Sequence, residues 1–238
     1  MTTQQVSSPE ASAVPTFSIP PMAVGRYFDA AGVWRPLAYS SLELERARIA
    51  ALRVLQSFHF RTGGNIMFTS MWDEGAQLMP VERAIMSYGM VVISADSSPF
   101  DAGRVESIAR RFELKGALGI TAGCLEGLAR MGHDPAKLFA GMVVWARPGA
   151  YQTLCAIGTL NVHRCMELGP AFALECHAKS GAHIDRFEWD VEEDEGEILL
   201  TSRLERSEPF QRLRTGQRGR VMRGVCACGN ADPRIVLD

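Results

Sequence analysis

The sequence carries no excess of either charge. Its 25 Lys and Arg stand against 27 Asp and Glu, a net charge of -2. That balance gives no reason to expect a surface for nucleic acid or anionic membrane. Long apolar runs are also missing: none approaches the roughly 20 residues that a bilayer-spanning helix needs. Cysteine is sparse, at six in 238 residues and without dense spacing. Such usage suits reduced cytosolic thiols or a metal better than a disulfide framework. The opening segment MTTQQVSSPEASAVPTFSIPP lacks the basic start and apolar centre of a secretory signal. Together these absences predict a cytoplasmic protein with no nucleic-acid or membrane partner.

What is present is mostly alternation. Residues 1–21 are polar, rich in Ser and Pro and aperiodic, and read as a disordered leader. SLELERARIAALRVLQSFHF (41–60) spaces Leu42, Leu44, Ile49, Leu52 and Leu55 as a helix, with Ser40 or Ser41 as N-cap. NIMFTS (65–70) predicts a buried strand, MPVERAIMSYG (79–89) a helix and MVVIS (90–94) a strand. RVESIARRFEL (104–114) and CLEGLARMG (124–132) predict helices, ALGIT (117–121) and LFAGMVVWA (138–146) strands. Such a series implies βαβ units: an α/β fold with a mainly parallel sheet and helices on both faces. This core is expected over residues 22–165. From about residue 170 the pattern shifts to short strands around an acidic turn, Glu192 to Gly196, so 166–238 reads as a β-rich C-terminal part. The Arg-rich run from Arg203 to Arg223, interleaved with Glu205 and Glu208, predicts a solvated, salt-bridged face.

Cys226-Ala-Cys228-Gly229 has the form of half a metal knuckle, two thiolates on a tight turn. A tetrahedral site needs two more ligands, and Cys176 with His183 supplies them, Gly181 turning the chain back between them. Three cysteines and one histidine suit structural zinc in a closed site. His177 is a rival ligand, but on an extended backbone it points away from its neighbour Cys176. Cys124, Cys155 and Cys165 read as core residues. An alternative pairs Cys165 as nucleophile with His163 as base.

The segments GEILLTS (196–202), RLRTG (212–216) and CACGNADPRI (226–235) resemble the end of the large domain of phenylacetate–CoA ligases and their adenylate-forming relatives. CMELGPAFALEC (165–176) resembles that family's Tyr-Gly-x-Thr-Glu segment and the Glu-Cys pair after it. The likeness covers about residues 35–238 and implies the same zinc set, Cys176, His183, Cys226 and Cys228. It also places Trp145, Arg147, Met166, Glu167, Gly169, Arg214 and Gln217 in a nucleotide and substrate cleft.

That cleft departs from the family pattern. FDAAGVWRPLAYSS (28–41) has no Ser/Thr/Gly-rich phosphate loop. The adenine-contacting Gly-Gly-Glu is replaced by Trp145-Ala146-Arg147, and Tyr-Gly-x-Thr-Glu by His163-Arg164-Cys165-Met166-Glu167. Arg-Thr-Gly is read as a compact turn closed by Gln217, where the family has a ribose-binding acid. The family's small C-terminal lid domain has no counterpart before Asp238. The resemblance therefore implies a degenerate, non-adenylating relative for which ATP is not expected. Such a protein would bind a small carboxylic acid, an acyl thioester or a protein partner, and a cleft without a lid favours a homo-oligomer or partner-bound state. The alternatives are an enzyme repurposed for acyl transfer or hydrolysis, and an acid–CoA ligase large domain completed in trans by a separate lid.

Overall fold

A computed structural model describes residues 19–238. Most of the expected leader, residues 1–18, lies outside the described residues. The chain first makes an antiparallel hairpin, β1 (Ala23–Phe28) and β2 (Trp34–Tyr39), with Phe28 opposite Trp34. The periodicity had not suggested it. Helix α1 (Ser41–Leu55) starts at a capping box: Ser40 Oγ accepts from the Glu43 amide, and the Glu43 carboxylate accepts from the Ser40 amide.

The alternation then runs β3 (Asn65–Ser70), α2 (Gly75–Ser87), β4 (Val91–Asp96), α3 (Ala102–Arg111), β5 (Leu114–Ile120), α4 (Ala122–Arg130), the short α5 (Pro135–Leu138), β6 (Val143–Ala146), α6 (Pro148–Cys155) and β7 (Asn161–Leu168). Strands β8 (Ala171–Glu175), β9 (Ala182–His183), β10 (Trp189–Asp194), β11 (Glu197–Ser202), β12 (Leu213–Met222) and β13 (Arg234–Leu237) complete the chain. No helix among the described residues is long and apolar enough to cross a membrane.

One sheet of 11 strands holds all but the hairpin, in the order β10-β11-β12-β13-β9-β8-β7-β6-β5-β3-β4. Strands β4, β3, β5, β6 and β7 are parallel, as the helix-linked spacing requires. From β7 to β10 every pairing is antiparallel. The β-rich part is thus a continuation of the parallel sheet, and position 165 falls inside β7 rather than in a linker.

Strand alternation divides the core. Val144 and Ala146 of β6 pack with α3, α4 and α6, whereas Trp145 between them faces α1 and α2. A third cluster joins the hairpin to the antiparallel strands through Tyr27, Leu37, Trp189, Ile198 and Ile235.

Two segments differ from expectation. The strand over 138–146 is confined to Val143–Ala146, because Asp134 accepts from the Ala136 amide and Pro135 opens a helical turn that takes Leu138. The Arg-Thr-Gly turn at 212–216 is instead part of β12. Gly216 has φ +71°, and a Cβ there would lie 2.8 Å from Ala30. The glycine marks an irregular register between β11 and β12 where the tip of the β1–β2 hairpin lies against the strand, not a chain reversal.

Candidate functional site

The hydrogen-bond ladder brings four ligands together. His183 on β9 stands opposite Leu174 of β8 on one side and Arg234 of β13 on the other. Cys176 lies just past β8, and Cys226 and Cys228 lie in the loop entering β13, so each ligand is within two strands of the others. Their ligand atoms all fall within 4.8 Å of one another. Cys176 Sγ is 3.7 Å from Cys226 Sγ, and Cys228 Sγ is 3.5 Å from His183 Nε2. Zinc–ligand lengths in tetrahedral geometry imply edges of about 3.8 Å between sulfurs and about 3.6 Å from sulfur to nitrogen. Two edges thus match a tetrahedral metal ion, and the four residues could hold one.

Its surroundings prepare the ligands. His183 Nδ1 lies 3.1 Å from the Asp232 carbonyl, so it is the donor nitrogen and Nε2 is left to coordinate. Ser180 Oγ sits 3.2 Å from Cys226 Sγ. Burial pushes the Cys176 and Cys228 thiols up from their ordinary value. Burial acts on Cys226 in the same direction, but hydrogen bonds from the Cys228 amide, Ser180 and the other ligands bring it down to about 6. His177 is exposed on the outside and takes no part.

A second constellation lies at the carboxyl ends of β3, β6 and β7, the edge where open α/β sheets place ligands. Glu167 accepts from Arg26 Nη1 and Arg147 Nη1, each at 2.7 Å. Arg26 also bonds Asp73 at 3.0 Å and Glu74 at 2.9 Å, and Arg147 lies 3.3 Å from Glu74. Burial works against the Arg26 charge, but Glu167, Asp73 and Glu74 outweigh it and hold the guanidinium charged. Gln217 Nε2 donates to the Glu167 carbonyl at 2.7 Å. Of the expected cleft residues, Arg147, Glu167 and Gln217 therefore converge. Sequence reasoning missed Arg26, Asp73 and Glu74. The only signal was positional: Asp73 and Glu74 follow the carboxyl end of a predicted strand.

The other cleft expectations need correction. Trp145 is fully buried: its Nε1 donates to the Glu175 carbonyl at 2.9 Å, and its ring packs 4.7 Å from Phe58. It is a core residue because it lies on the inward face of a four-residue central strand. Arg214 points out from β12 to Asp194 at 3.0 Å and Glu197 at 2.6 Å. Gly169 is a buried turn residue against Leu213 and Thr215. The Arg-rich run is a salt-bridged face at Arg212 and Arg214, but Arg206 is buried between Glu43 and Glu188.

Met166 reaches a cavity of about 310 Å³ beside α6, lined also by Ala146, Pro148, Tyr151, Arg164 and Cys165. Arg164 stacks over the Tyr151 ring at 4.3 Å and bonds Glu175 through Nη1 at 2.8 Å. The Glu175 carboxylate, completely buried, also accepts from the Arg164 and Gly181 amides. No nucleophile and base meet here. Burial raises the Cys165 thiol to about 12 and lowers His163 to about 3. Both His163 nitrogens are engaged, with the Cys176 carbonyl and Asn161. Cys124 is buried as expected, whereas Cys155 is exposed.

No family model matches the sequence, and no curated protein matches it. Solved structures do. An open conformation of 2-hydroxyisobutyryl-CoA ligase, in complex with 2-HIB-AMP and CoA, superposes with TM-score 0.63 at 12% identity, over 94% of this chain and 55% of that one. The fold is that of the acyl-CoA ligases. The same ligase in its postadenylation state gives TM-score 0.66 at 14% identity, over 91% and 51% of the two chains. o-Succinylbenzoate coenzyme A synthetase from Bacillus subtilis, in complex with AMP, gives 0.57 at 12%, over 91% and 49%. The chain spans about half the length of these acyl-CoA ligases. At such identities the likeness is one of fold, carried by the order of strands and helices rather than by shared side chains.

Proposed function

We propose that this chain is a non-adenylating relative of the phenylacetate–CoA ligase branch of the adenylate-forming enzymes, and that it binds a small carboxylic acid or acyl thioester. Zinc, held by Cys176, His183, Cys226 and Cys228, is its structural metal. The observation that carries the reading is the double capture of Glu167 by Arg26 and Arg147. A carboxylate meant to hold a magnesium ion must be free to coordinate it, and one bound by two buried guanidiniums is already neutralised. Gln217 adds to this, since its amide is spent on the Glu167 backbone and it offers no carboxylate to a ribose.

The cavity beside α6 is where an acid would bind. Its volume of about 310 Å³ lies at the lower end of the range for ligand sites, roughly 300–1,000 Å³. Arg164, stacked on Tyr151 and paired through Nη1 with Glu175, is the guanidinium in its wall, and Asp238 lines the same cavity, so an acid would share Arg164 with Glu175. The reading includes an assembly partner, because Trp72 and Phe100 stand 86% and 93% exposed just past the carboxyl ends of β3 and β4. Acyl transfer or hydrolysis by this chain alone is disfavoured, because the cavity's thiol is held protonated and no base reaches it.

Calorimetry decides the matter. Titrations with ATP and magnesium, with a non-hydrolysable acyl-adenylate mimic and with a panel of small aryl and aliphatic acids are expected to give heat with acids only. Micromolar affinity for ATP or for the mimic would overturn the reading.

A further inference from the structure

A second cavity, of about 60 Å³, lies between α1, α2 and the antiparallel strands. It exists because α1 turns Ala47, Ala50 and Ala51 toward Phe172 and Leu174, and three methyl groups do not fill the gap between a helix and a sheet. One group in its wall is out of keeping with the rest. Gln77 of α2 is 4% exposed, and neither its Oε1 nor its Nε2 has a hydrogen-bond partner. A buried carboxamide left unpaired at both ends is costly, and such groups in folded proteins generally have a partner.

We infer that this cavity is a binding site for a small neutral amide, or a molecule of the same shape with a donor and an acceptor side by side, read by Gln77. The ligand carbonyl would accept from Gln77 Nε2 and its N–H would donate to Gln77 Oε1, the reciprocal pairing of two carboxamides. Neutrality follows from the charged groups of the lining, which already stand in ion pairs, some of them with Arg53 beside the cavity. Arg206 is paired with Glu43 and Glu188, and Arg53 holds Asp185 and Asp232, each at 2.8 Å. An anion entering here would lose its hydration without finding an unpaired cation. Size sets the other limit. The volume is well under the roughly 150 Å³ that admits benzene, which leaves space for about four non-hydrogen atoms, as in acetamide or urea. This site is separate from the acid-binding cavity beside α6, where the opposite preference holds.

The full chain should be titrated with acetamide and, in parallel, with acetate at neutral pH, by calorimetry and by amide NMR shifts. Acetamide is expected to bind and to shift resonances of α1 and α2, while acetate leaves them unmoved. Gln77→Leu keeps the side-chain volume and removes both polar atoms, so acetamide affinity should fall roughly tenfold or more. Ala50→Leu fills the void and leaves Gln77 in place, and should abolish binding by an independent route. Acetamide binding equally well to Gln77→Leu would overturn the inference. So would a crystal soaked in acetamide that shows only ordered water on the Gln77 amide. Acid binding beside α6 is unaffected by either variant, so failure here is distinguishable from failure of the proposed function.

Discussion

The two polar centres of this protein solve the same problem by opposite means. At the β8–β9–β13 end, three thiols and an imidazole converge, a donor set that could hold a metal ion. At the carboxyl ends of β3, β6 and β7, three carboxylates and two guanidiniums close on one another. On the proposed reading, the first centre takes an ion from solution, and its stability would move with metal and pH. The second is self-contained and depends only on every member being present.

Removing the metal is the harshest way to break the comparison. Structural zinc contributes about 10–16 kcal/mol of apparent binding free energy in small domains, so chelation should cause the largest loss of thermal stability of any treatment here. Protein purified without added metal should carry about one zinc per chain. A folded sample without it would end the zinc reading. Cys228→Ser should reproduce most of the loss. Lower pH should do so too, since coordination requires deprotonated thiols and acid returns their protons.

Glu167→Gln attacks the self-contained centre. It leaves Arg26 and Arg147 facing a neutral amide while both stay buried, and should cost about 3–5 kcal/mol in urea unfolding without altering metal content. If the double variant Glu167→Leu with Arg147→Met costs as much as the sum of the single ones, the network is not a unit.

Gln217→Asp should have a smaller effect, about 1–3 kcal/mol, since it removes the donor to the Glu167 carbonyl and brings a charge near Glu167. It should not create ATP binding, which separates a cleft closed by the Arg26–Glu167–Arg147 network from one lacking only its ribose acid. The smallest effect is expected at Arg214, whose side chain is 52% exposed in its pairs with Asp194 and Glu197. Arg214→Ala should leave the urea midpoint nearly unchanged, and a clear loss would mean that this outer face matters as the buried network does.

Sequence alone was enough for the parallel half of the sheet and for the four residues that cluster as candidate metal ligands, for one physical reason. Both signals are short-range: helix and strand periodicities repeat within a dozen residues, and Cys176–His183 and Cys226–Cys228 each sit on a single turn or loop. Even the pairing of those two halves could be read, because few other thiols compete. Only the tertiary structure decided the rest. Arg26 meets Glu167 across 141 residues. Trp145 looked like a cleft residue until its strand face was known, and Gly216 looked like a turn until the hairpin tip was seen packed against it. Charged residues give no periodic signal of their partners, and a one-residue change of register carries a side chain from cleft to core. Which buried charges close on one another, and which cavity a helix of small residues leaves open, is settled by packing between distant segments.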